Sequence, residues 1–484
     1  MTSSLAMRST SPVAGLHRRR LGTWEVTAQS VSAVAPTAAV TSSPALVGAV
    51  AGGSTVLAFA LATVLMLMVA YCISQCARRI STAGSLYTFT AQGLGPRAAL
   101  LSASSLVIGY AAITAASTAI AAGYLAPLLQ RSGLASPSPL VTATLVLLLG
   151  GLVISCIAAG VSLSARLALG LEAASVLAVL VLGVSLLVRG GFEVPPVGLV
   201  GTPLDLQRLA AGAALAVVAF VGFESCCALG AEARKPLRTI PRVVVRTVAV
   251  TGVVYVLGSA TELSALFSPG GATTDPRGQL TNRTGMGWLA PVLEVGILTS
   301  GLACATASGN ALVRVLFTLS REGLLPPALG RTHPRRGTPH RGALLALSPV
   351  AVTTACAVGW GTSPYEVFAW SATLAAAGSL TAYVLVCAAT PVLLGRIGEL
   401  TPAPLLLCPL AAGAVASVLL ALLLPGLAGT RPTATLAFVL LEAAGLVLLL
   451  RRRRRPDVVG AVLYDEPLAS DVFVPAGPHH WRQP

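Results

Sequence analysis

The chain is built from long uncharged apolar runs that are separated by short arginine-rich stretches. Each run holds about the 20 apolar residues that a helix needs to cross a hydrocarbon core of about 30 Å. Only 10% of the residues are charged, against about 25% in soluble proteins. Because lipid offers no hydrogen-bond partner to the backbone, runs of this length and composition must fold as helices. The sequence therefore predicts an all-α protein that crosses a membrane many times.

We predict twelve spans from the ends of the apolar runs. Their approximate boundaries are 26–51, 53–76, 98–126, 139–161, 165–188, 209–231, 243–267, 287–317, 342–361, 366–394, 403–425 and 432–450. Residues 23–450 would form one transmembrane domain, because each water-facing piece is too short to bury a core of its own. We interpret residues 1–22 as a plain tail rather than a targeting peptide, and residues 451–484 as a second tail. Function must therefore reside among the helices.

The placement of arginine predicts the orientation. If the N-terminus is cytoplasmic, most of the 32 basic residues fall in inside loops and tails, as the positive-inside rule requires. Six would face outside: Arg131, Arg189, Arg208, Arg277, Arg283 and Arg431. Both termini are therefore expected to be cytoplasmic in a multi-pass protein of the cell membrane. Because this topology accounts for the net charge of +15, we expect membrane lipid rather than nucleic acid as the partner of the arginines.

The sequence lacks the residues that metal sites, disulfide frameworks and membrane-embedded enzymes require. The nine cysteines lie mostly inside apolar runs without zinc-type spacing, so no metal site, cofactor or disulfide framework is predicted. The five histidines are confined to the tails and one loop, which leaves an enzyme without a nucleophile and base among the spans. A channel would need a repeated filter-like stretch, and none is visible. We predict that the protein is not an enzyme, and we keep a channel as a weaker alternative.

Two spans contain residues that disturb a membrane helix. Span 6 holds Gly222, which weakens a helix, and Glu224, whose charge is costly at membrane depth unless it meets a partner or a wet cavity. Span 1 holds Pro36 and Pro44 with hydroxyl side chains between them, a pattern that favours local unwinding. Helix packing with an internal hydrogen bond in span 6, and a simple proline kink in span 1, are the alternatives.

The two disturbances fall at corresponding positions, the first span of each five-span half. Paired interrupted helices are typical of secondary transporters that are built from inverted repeats. Amides at the start of a half-helix suit a substrate carboxylate, and freed carbonyls suit an ammonium group. A solute that carries both charges on neighbouring atoms is an amino acid, and this is the substrate class that we predict.

Four stretches of the chain resemble one known superfamily. They are "AFVGFES…GAEARKPLRTIPR" (219–242), "GTWEVTAQSVSAVAPTAAV" (22–40), "STAGSLYTFTAQGLGP" (81–96) and "SGNALVRVLFTLSREGLLPPALGRTHPRRGTP" (308–339). They are similar to the sixth span and following loop, the first span, the segment between spans 2 and 3, and the end of span 8 of the amino acid–polyamine–organocation superfamily. The stretch at 22–40 resembles the first span of the bacterial amino acid permeases, although it has "APTAAV" where many relatives have Gly-Ser-Gly.

The resemblance implies a LeuT-type fold, in which spans 1–5 and 6–10 form a 5+5 inverted repeat and spans 11 and 12 are peripheral. It implies uptake or exchange of an amino acid, with a polyamine or other amine as the alternative substrate. It also implies a substrate site at Ala35, Pro36, Thr37, Ala38 and Ala39 of span 1 and at Phe220, Val221 and Gly222 of span 6. Some members carry a coupling lysine in span 5, but Lys235 is the only lysine of this chain.

Three further residues are candidates for coupling or gating. Glu224 is the leading one, for proton coupling or for gate hydrogen bonding, because of its depth. Glu172 follows Arg166 by six residues, so it is either a coupling carboxylate or half of a local salt bridge. Tyr87 matches a closure element of the family by position, although an interfacial aromatic residue is the alternative.

Other features of the expected mechanism stay open at the level of sequence. We expect the arginines of the loop at 233–242 to pair with Glu232 and with lipid headgroups. A proton is a candidate co-transported ion, but the sequence does not distinguish it from sodium or from simple exchange. It does not distinguish a monomer from a homodimer either.

Overall fold

The computed structural model describes residues 15–133, 138–160, 169–170, 172–177, 181, 205–266, 289–424 and 432–453. Regular structure in these residues is helical, apart from one isolated bridge between Leu21 and Ala233. The α-helices are α1 (Thr23–Val34), α2 (Pro36–Ala51), α3 (Thr55–Ala77), α4 (Leu86–Leu94), α5 (Pro96–Arg131), α6 (Pro139–Ala159), α7 (Leu206–Val218), α8 (Pro236–Leu266), α9 (Leu289–Arg321), α10 (His340–Gly359), α11 (Pro364–Arg396), α12 (Pro402–Leu423) and α13 (Pro432–Arg453). Short 3-10 helices lie at Gly52–Ser54, Phe223–Leu229 and Pro327–Gly330. The predicted all-α class is confirmed.

Ten stretches of the described residues are long and apolar enough to cross a membrane. The first, Thr23–Ala77, contains 55 residues and includes α1, α2 and α3. Large apolar side chains point away from the protein on the outer helices. Leu148 of α6 and Leu406 of α12, for example, are 64% and 71% exposed. Exposed apolar side chains on helices of this length are expected of a protein that is surrounded by lipid.

Several helices extend beyond their predicted ends. α5 has 36 residues and α11 has 33, and helices so much longer than the hydrocarbon core must tilt or reach into the headgroup region. α8 begins at Pro236 instead of near residue 243, because proline suits the first position of a helix. The short helix α4 was not predicted. Most of the span predicted at 165–188 and most of both tails lie outside the described residues.

The helices form two groups by contact. α2 and α3 both pack against α7 and α8, whereas α5 lies along α9 and α11, and α6 packs on α10. The contact between α5 and α11 is close because Gly378 lies directly against the carbonyl oxygen of Ser105 and the backbone of Gly109. Small residues allow this approach of two membrane helices, whose association depends on packing rather than on exclusion of water.

Candidate functional site

The first interruption of the chain is a single residue, Ala35, between α1 and α2. Its φ of 50° and ψ of 60° are left-handed, a conformation that costs a non-glycine residue of order 1–3 kcal/mol. Pro36 follows as the first residue of α2, where no amide hydrogen is needed. The predicted interruption of span 1 is confirmed, although it occupies one residue rather than a longer unwound stretch.

The unwinding does not extend to Pro44, which lies inside α2. The Thr41 hydroxyl donates to the Thr37 carbonyl at 2.8 Å, and the Ser42 hydroxyl donates to the Ala38 carbonyl at 2.6 Å. Hydroxyls that bond back to a carbonyl one turn earlier occur within helices. The hydroxyls between the two prolines are therefore compatible with a helix here and do not mark an unwound segment.

A carboxylate lies at the start of α2. Glu172 Oε1 accepts the Thr37 amide at 2.8 Å, and Glu172 is only 1% exposed. The N-terminus of a helix carries partial positive charge and unsatisfied amides, so an anion is stabilised there. The alternative partner expected from sequence, Arg166, lies outside the described residues.

The second interruption is longer. α7 ends at Val218, the chain turns through residues 219–222, and a 3-10 helix continues from Phe223 to Leu229. Gly222 has a φ of +107°, which glycine adopts without the penalty of a side chain. A Cβ atom at residue 222 would stand 2.6 Å from the carbonyl oxygen of Ala33. The predicted interruption of span 6 is confirmed, and it lies directly against the interruption of span 1.

Hydrogen bonds tie the two interrupted segments together and to α9. The Ser30 hydroxyl donates to the Phe223 carbonyl at 2.6 Å, and the Ser225 hydroxyl donates to the Gln29 carbonyl at 3.2 Å. The Gln29 side-chain amide in turn donates to the Ala307 carbonyl of α9 at 2.7 Å. These side chains bury their polar groups by donating to backbone carbonyls of neighbouring helices, as a low-dielectric interior requires.

Two more donors reach freed carbonyls from neighbouring helices. The Cys304 thiol of α9 lies 3.1 Å from the Ala33 carbonyl oxygen, and the Tyr255 hydroxyl of α8 donates to the Ala219 carbonyl at 2.9 Å. The Tyr255 ring also packs edge-on against Phe220, with ring centroids 5.0 Å apart. Sequence reasoning missed both donors, because Cys304 reads as a small buried hydrophobic residue and Tyr255 as part of an ordinary span.

Glu224 joins the second interruption to two other helices. Its Oε1 accepts the Tyr110 hydroxyl of α5 at 3.0 Å, and its Oε2 accepts the Gly222 amide at 3.2 Å and the Tyr383 hydroxyl of α11. Glu224 is fully buried, so a carboxylate here depends on these donors for stabilisation. Sequence analysis did not predict the two tyrosines as partners of Glu224. The feature that could have indicated them is a tyrosine hydroxyl in the middle of an apolar span, where it needs a hydrogen-bond partner.

The chain after the second interruption is fixed by a buried ion pair. Arg314 Nε of α9 lies 2.6 Å from Glu232 Oε1, and the two side chains are 1% and 7% exposed. Arg314 also donates to the Asn310 side chain at 3.2 Å. The expectation that an arginine of the neighbouring loop pairs with Glu232 is wrong, because the partner of Glu232 is Arg314 of α9. Arg234 of the loop donates instead to the Arg20 carbonyl at 3.1 Å.

Two further contacts lie at the same end of the molecule. The Tyr87 hydroxyl of α4 donates to the Glu322 carboxylate at the end of α9, and both side chains are buried. The Leu21 amide donates to the Glu232 carbonyl at 2.9 Å beside the bridge between Leu21 and Ala233. The N-terminal segment, α4, the loop after the second interruption and α9 are thus fastened to one another.

Residues 25–426 match the family model described as amino acid permease. This chain belongs to the amino acid permease family. The predicted membership of the amino acid–polyamine–organocation superfamily is confirmed, and so is the predicted class of function, transport of an amino acid. The family indicates a multi-pass membrane permease rather than an enzyme.

Three relatives show how widely the similarity of this permease extends. A branched-chain amino acid permease of Bacillus subtilis is 25% identical over 342 residues, which are 67% of this chain and 71% of the relative. The cationic amino acid transporter 4 of Homo sapiens is 25% identical over 347 residues, 68% of this chain and 53% of the relative. A methylthioribose transporter of Bacillus subtilis is 24% identical over 311 residues, 61% of this chain and 66% of the relative.

The permease brings all of its predicted substrate residues to the two facing interruptions. They are Ala35, Pro36, Thr37, Ala38 and Ala39 at the first interruption, and Phe220, Val221 and Gly222 at the second. All are buried except Ala38 and Ala39, which are partly buried. Among the described residues, no group of His, Cys, Asp or Glu side chains could hold a metal ion.

Proposed function

We propose that the protein is a secondary active transporter that moves an amino acid, or a related amine, across the cell membrane by alternating access. The observation that carries this proposal is the direct contact of two interrupted helices, where Gly222 lies against the carbonyl of Ala33. Each interruption leaves peptide groups without helical partners, and such groups recognise charged parts of a solute at the bilayer midplane. The transporter works as a monomer or a homodimer.

The proposed architecture has twelve spans in a 5+5 inverted repeat. The Gly52–Ser54 turn would separate the first two crossings within Thr23–Ala77, and the helical residues 172–177 would belong to span 5. α12 and α13 would be the peripheral helices, in agreement with their lipid-type surfaces. Residues 23–450 would form the transport domain, with cytoplasmic tails at 1–22 and 451–484, because the arginine distribution favours that orientation.

The substrate would bind between the two interruptions. Its carboxylate would accept hydrogen bonds from the amides of Thr37 and Ala38 in the first turn of α2, and its ammonium group would contact carbonyls of residues 219–222. Ala35, Phe220 and Val221 would border the side chain. We interpret the described conformation as closed around this site, because the Thr37 amide and the carbonyls of Ala33 and Ala219 are bonded to protein side chains.

Transport would require the two groups of helices to move relative to each other. α1, α2, α3, α7 and α8 would rock as one body against α5, α6, α9 and α10. The Arg314–Glu232 pair connects α9 with the end of the moving body, and the Tyr87–Glu322 contact lies at the same end. With this orientation they would close the cytoplasmic entrance, and opening to the cytoplasm would break them.

Glu224 would couple substrate binding to this motion. Its carboxylate holds the amide of Gly222 and the hydroxyls of Tyr110 and Tyr383 together, so it connects the moving body with α5 and α11. A change in its protonation would alter all three bonds at once. A proton is therefore our candidate for the co-transported ion.

The proposal is tested with purified full-length protein. A thermal-shift screen against the twenty amino acids and common amines should reveal stabilisation by one class, because a ligand that binds only the folded state raises its stability. In proteoliposomes, unlabelled ligand inside the vesicles should accelerate uptake of labelled ligand outside. Absence of any stabilising amino acid or amine would refute the proposed substrate class, and uptake without this counterflow would indicate a channel.

A further inference from the structure

Glu172 holds a position that the proposed mechanism assigns to the substrate. The first turn of α2 has few amides to offer, because Pro36 has no amide hydrogen and the Ala39 amide donates to the Ala35 carbonyl at 2.9 Å. Only the amides of Thr37 and Ala38 are left for an anion. The Glu172 carboxylate accepts the first of these at 2.8 Å.

The surroundings of this carboxylate contain unused hydrogen-bonding capacity. Among the described residues, Glu172 Oε2, the Thr37 hydroxyl and the Ser300 hydroxyl are buried polar atoms without a hydrogen-bond partner. All three belong to side chains that are at least nine-tenths buried, and both hydroxyls lie beside the Glu172 carboxyl group. Buried polar atoms are normally paired, so these groups can pair within the cluster or with a polar ligand that enters it.

We propose that Glu172 is a built-in substitute for the carboxylate of the substrate. In the empty protein its carboxylate occupies the Thr37 amide. When an amino acid binds, the substrate carboxylate takes over that amide, and Glu172 withdraws and takes up one proton from water. One carboxylate therefore remains at the start of α2 throughout, and the substrate ammonium group is balanced by the substrate's own carboxylate. This inference rests on the proposed function, because it requires an amino acid at the interruptions.

The need for a proton follows from charge. Two carboxylates that share two amides in a buried site repel each other strongly, and one of them then becomes protonated. Among the residues that the structure describes, the titratable groups near Glu172 are the hydroxyl of Tyr255 on α8 and the thiol of Cys304 on α9. Among the described residues, no basic side chain interacts with Glu172, so nothing else there neutralises the second carboxylate.

The competing interpretation makes Glu172 the partner of the substrate ammonium group. The two interpretations differ in what an amine without a carboxylate does. If Glu172 is a substitute carboxylate, it stays on the Thr37 amide when such an amine binds, because the amine brings no carboxylate that competes for that amide. No proton is then taken up. As a counter-ion, it would bind the amine at least as well as the amino acid.

The experiment counts protons by calorimetry. Full-length protein in detergent is titrated with L-leucine in phosphate and in Tris at equal pH, from pH 6 to 8.5; if leucine does not bind, the most stabilising of the twenty amino acids replaces it. The wild type should take up about one proton per amino acid at the pH values where Glu172 is ionised, and its affinity should fall roughly tenfold per pH unit there. Glu172→Gln should take up none and bind with a flat pH dependence.

Two controls keep the result interpretable. Glu442→Gln removes another buried membrane carboxyl, which accepts from Ser105 of α5, and it should keep the wild-type proton count. The second control needs no variant: 3-methylbutylamine, which is leucine without its carboxylate, should bind the wild type without proton uptake and at least tenfold more weakly. This arm stands even if Glu172→Gln does not fold.

Three results would overturn the inference. They are an unchanged proton count in Glu172→Gln, no uptake by the wild type at any pH in the range, and amine binding that equals amino acid binding and disappears in Glu172→Gln. Each of these leaves amino acid or amine transport intact as a function. If instead no amino acid binds at all, the proposed substrate class fails together with the inference.

Discussion

The two interruptions face each other but are built differently. The first is one left-handed residue between two α-helices, and it exposes the amide end of α2. The second is a four-residue turn that leads into a 3-10 helix, and its freed carbonyl at Ala219 is bonded by Tyr255. The first therefore presents positive partial charge and the second mainly negative partial charge, which suits the two ends of an amino acid.

The two interruptions also differ in what holds them. The first is held by the Glu172 carboxylate at the start of α2 and by the contacts of Gln29 and Cys304 between α1 and α9. The second is attached to α5 and α11 through Glu224, and the chain beyond it is attached to α9 through the Arg314–Glu232 ion pair. Because charged side chains attach the second interruption to three helices, we expect it to transmit motion and the first mainly to bind. Substitutions at each interruption, and at the residues that hold the second one, test this difference in role.

The largest effect is expected from Gly222→Ala. The new methyl group would meet the Ala33 carbonyl oxygen at 2.6 Å and would impose a positive φ on alanine, which alone costs about 1–3 kcal/mol. Transport in proteoliposomes should be lost, and the melting temperature should fall. Gly413→Ala in α12 is the matched control, because nothing lies within 4 Å of its Cβ position. Equal transport by both variants would contradict the contact.

Arg314→Ala should cost the most stability of the charge changes. It leaves the buried Glu232 carboxylate without its partner, and breaking a buried pair in this way costs about 3–5 kcal/mol. Arg131→Ala is the control, because its pair with Glu294 is exposed and worth about 0–1 kcal/mol. Thermal unfolding should therefore separate the two variants clearly. Labelling of Cys226 and Cys227, which follow the second interruption, should rise in Arg314→Ala only.

Glu224→Gln should lower the rate of transport more than it lowers stability. The amide keeps the size of the carboxyl group but weakens the bonds from Tyr110 and Tyr383, and a hydrogen bond to a charged group is worth about 1.5–3 kcal/mol. The maximal rate of uptake should lose its pH dependence, because the variant cannot change protonation at this position, whereas the pH dependence of substrate affinity, which we assign to Glu172, should remain. Unchanged pH-dependent uptake in proteoliposomes, with Glu442→Gln beside it as control, would remove Glu224 from the coupling mechanism.

The smallest effect is expected from Ala35→Gly, the reverse exchange at the first interruption. Glycine relieves a left-handed strain of about 1–2 kcal/mol, but it loses about 0.5–1 kcal/mol through added freedom of the unfolded chain. Stability should therefore change by about 1 kcal/mol or less, and transport should persist. A loss of transport comparable to that of Gly222→Ala would show that both interruptions depend on geometry to the same degree.

The sequence was informative where a local property decides the structure. Apolar run length predicted the membrane helices, and Pro36 and Gly222 marked the two interruptions, because proline and glycine act on the backbone at their own positions. It was less informative at Pro44, which lies inside α2 with the hydroxyls of the preceding turn bonded back to that helix. Helix ends shifted by several residues, since packing extends helices beyond the apolar run.

The partners of the buried polar groups could not be predicted. Glu172 lies 135 residues from Thr37, and Tyr383 lies 159 residues from Glu224. Such pairs depend on how helices pack in three dimensions, which a periodic pattern does not contain. The misassigned partner of Glu232 has the same cause, because proximity in the chain favoured the loop arginines over Arg314.

The bridge between Leu21 and Ala233 has a practical consequence. It docks the beginning of the chain onto the segment that follows the second interruption, so a fluorescent label near Leu16 would travel with that segment. Such a label would report the conformational cycle without any change inside the membrane. For the same reason, an affinity tag close to Leu21 would disturb a segment that we expect to move during transport. Tags for purification should therefore be placed at the C-terminal end.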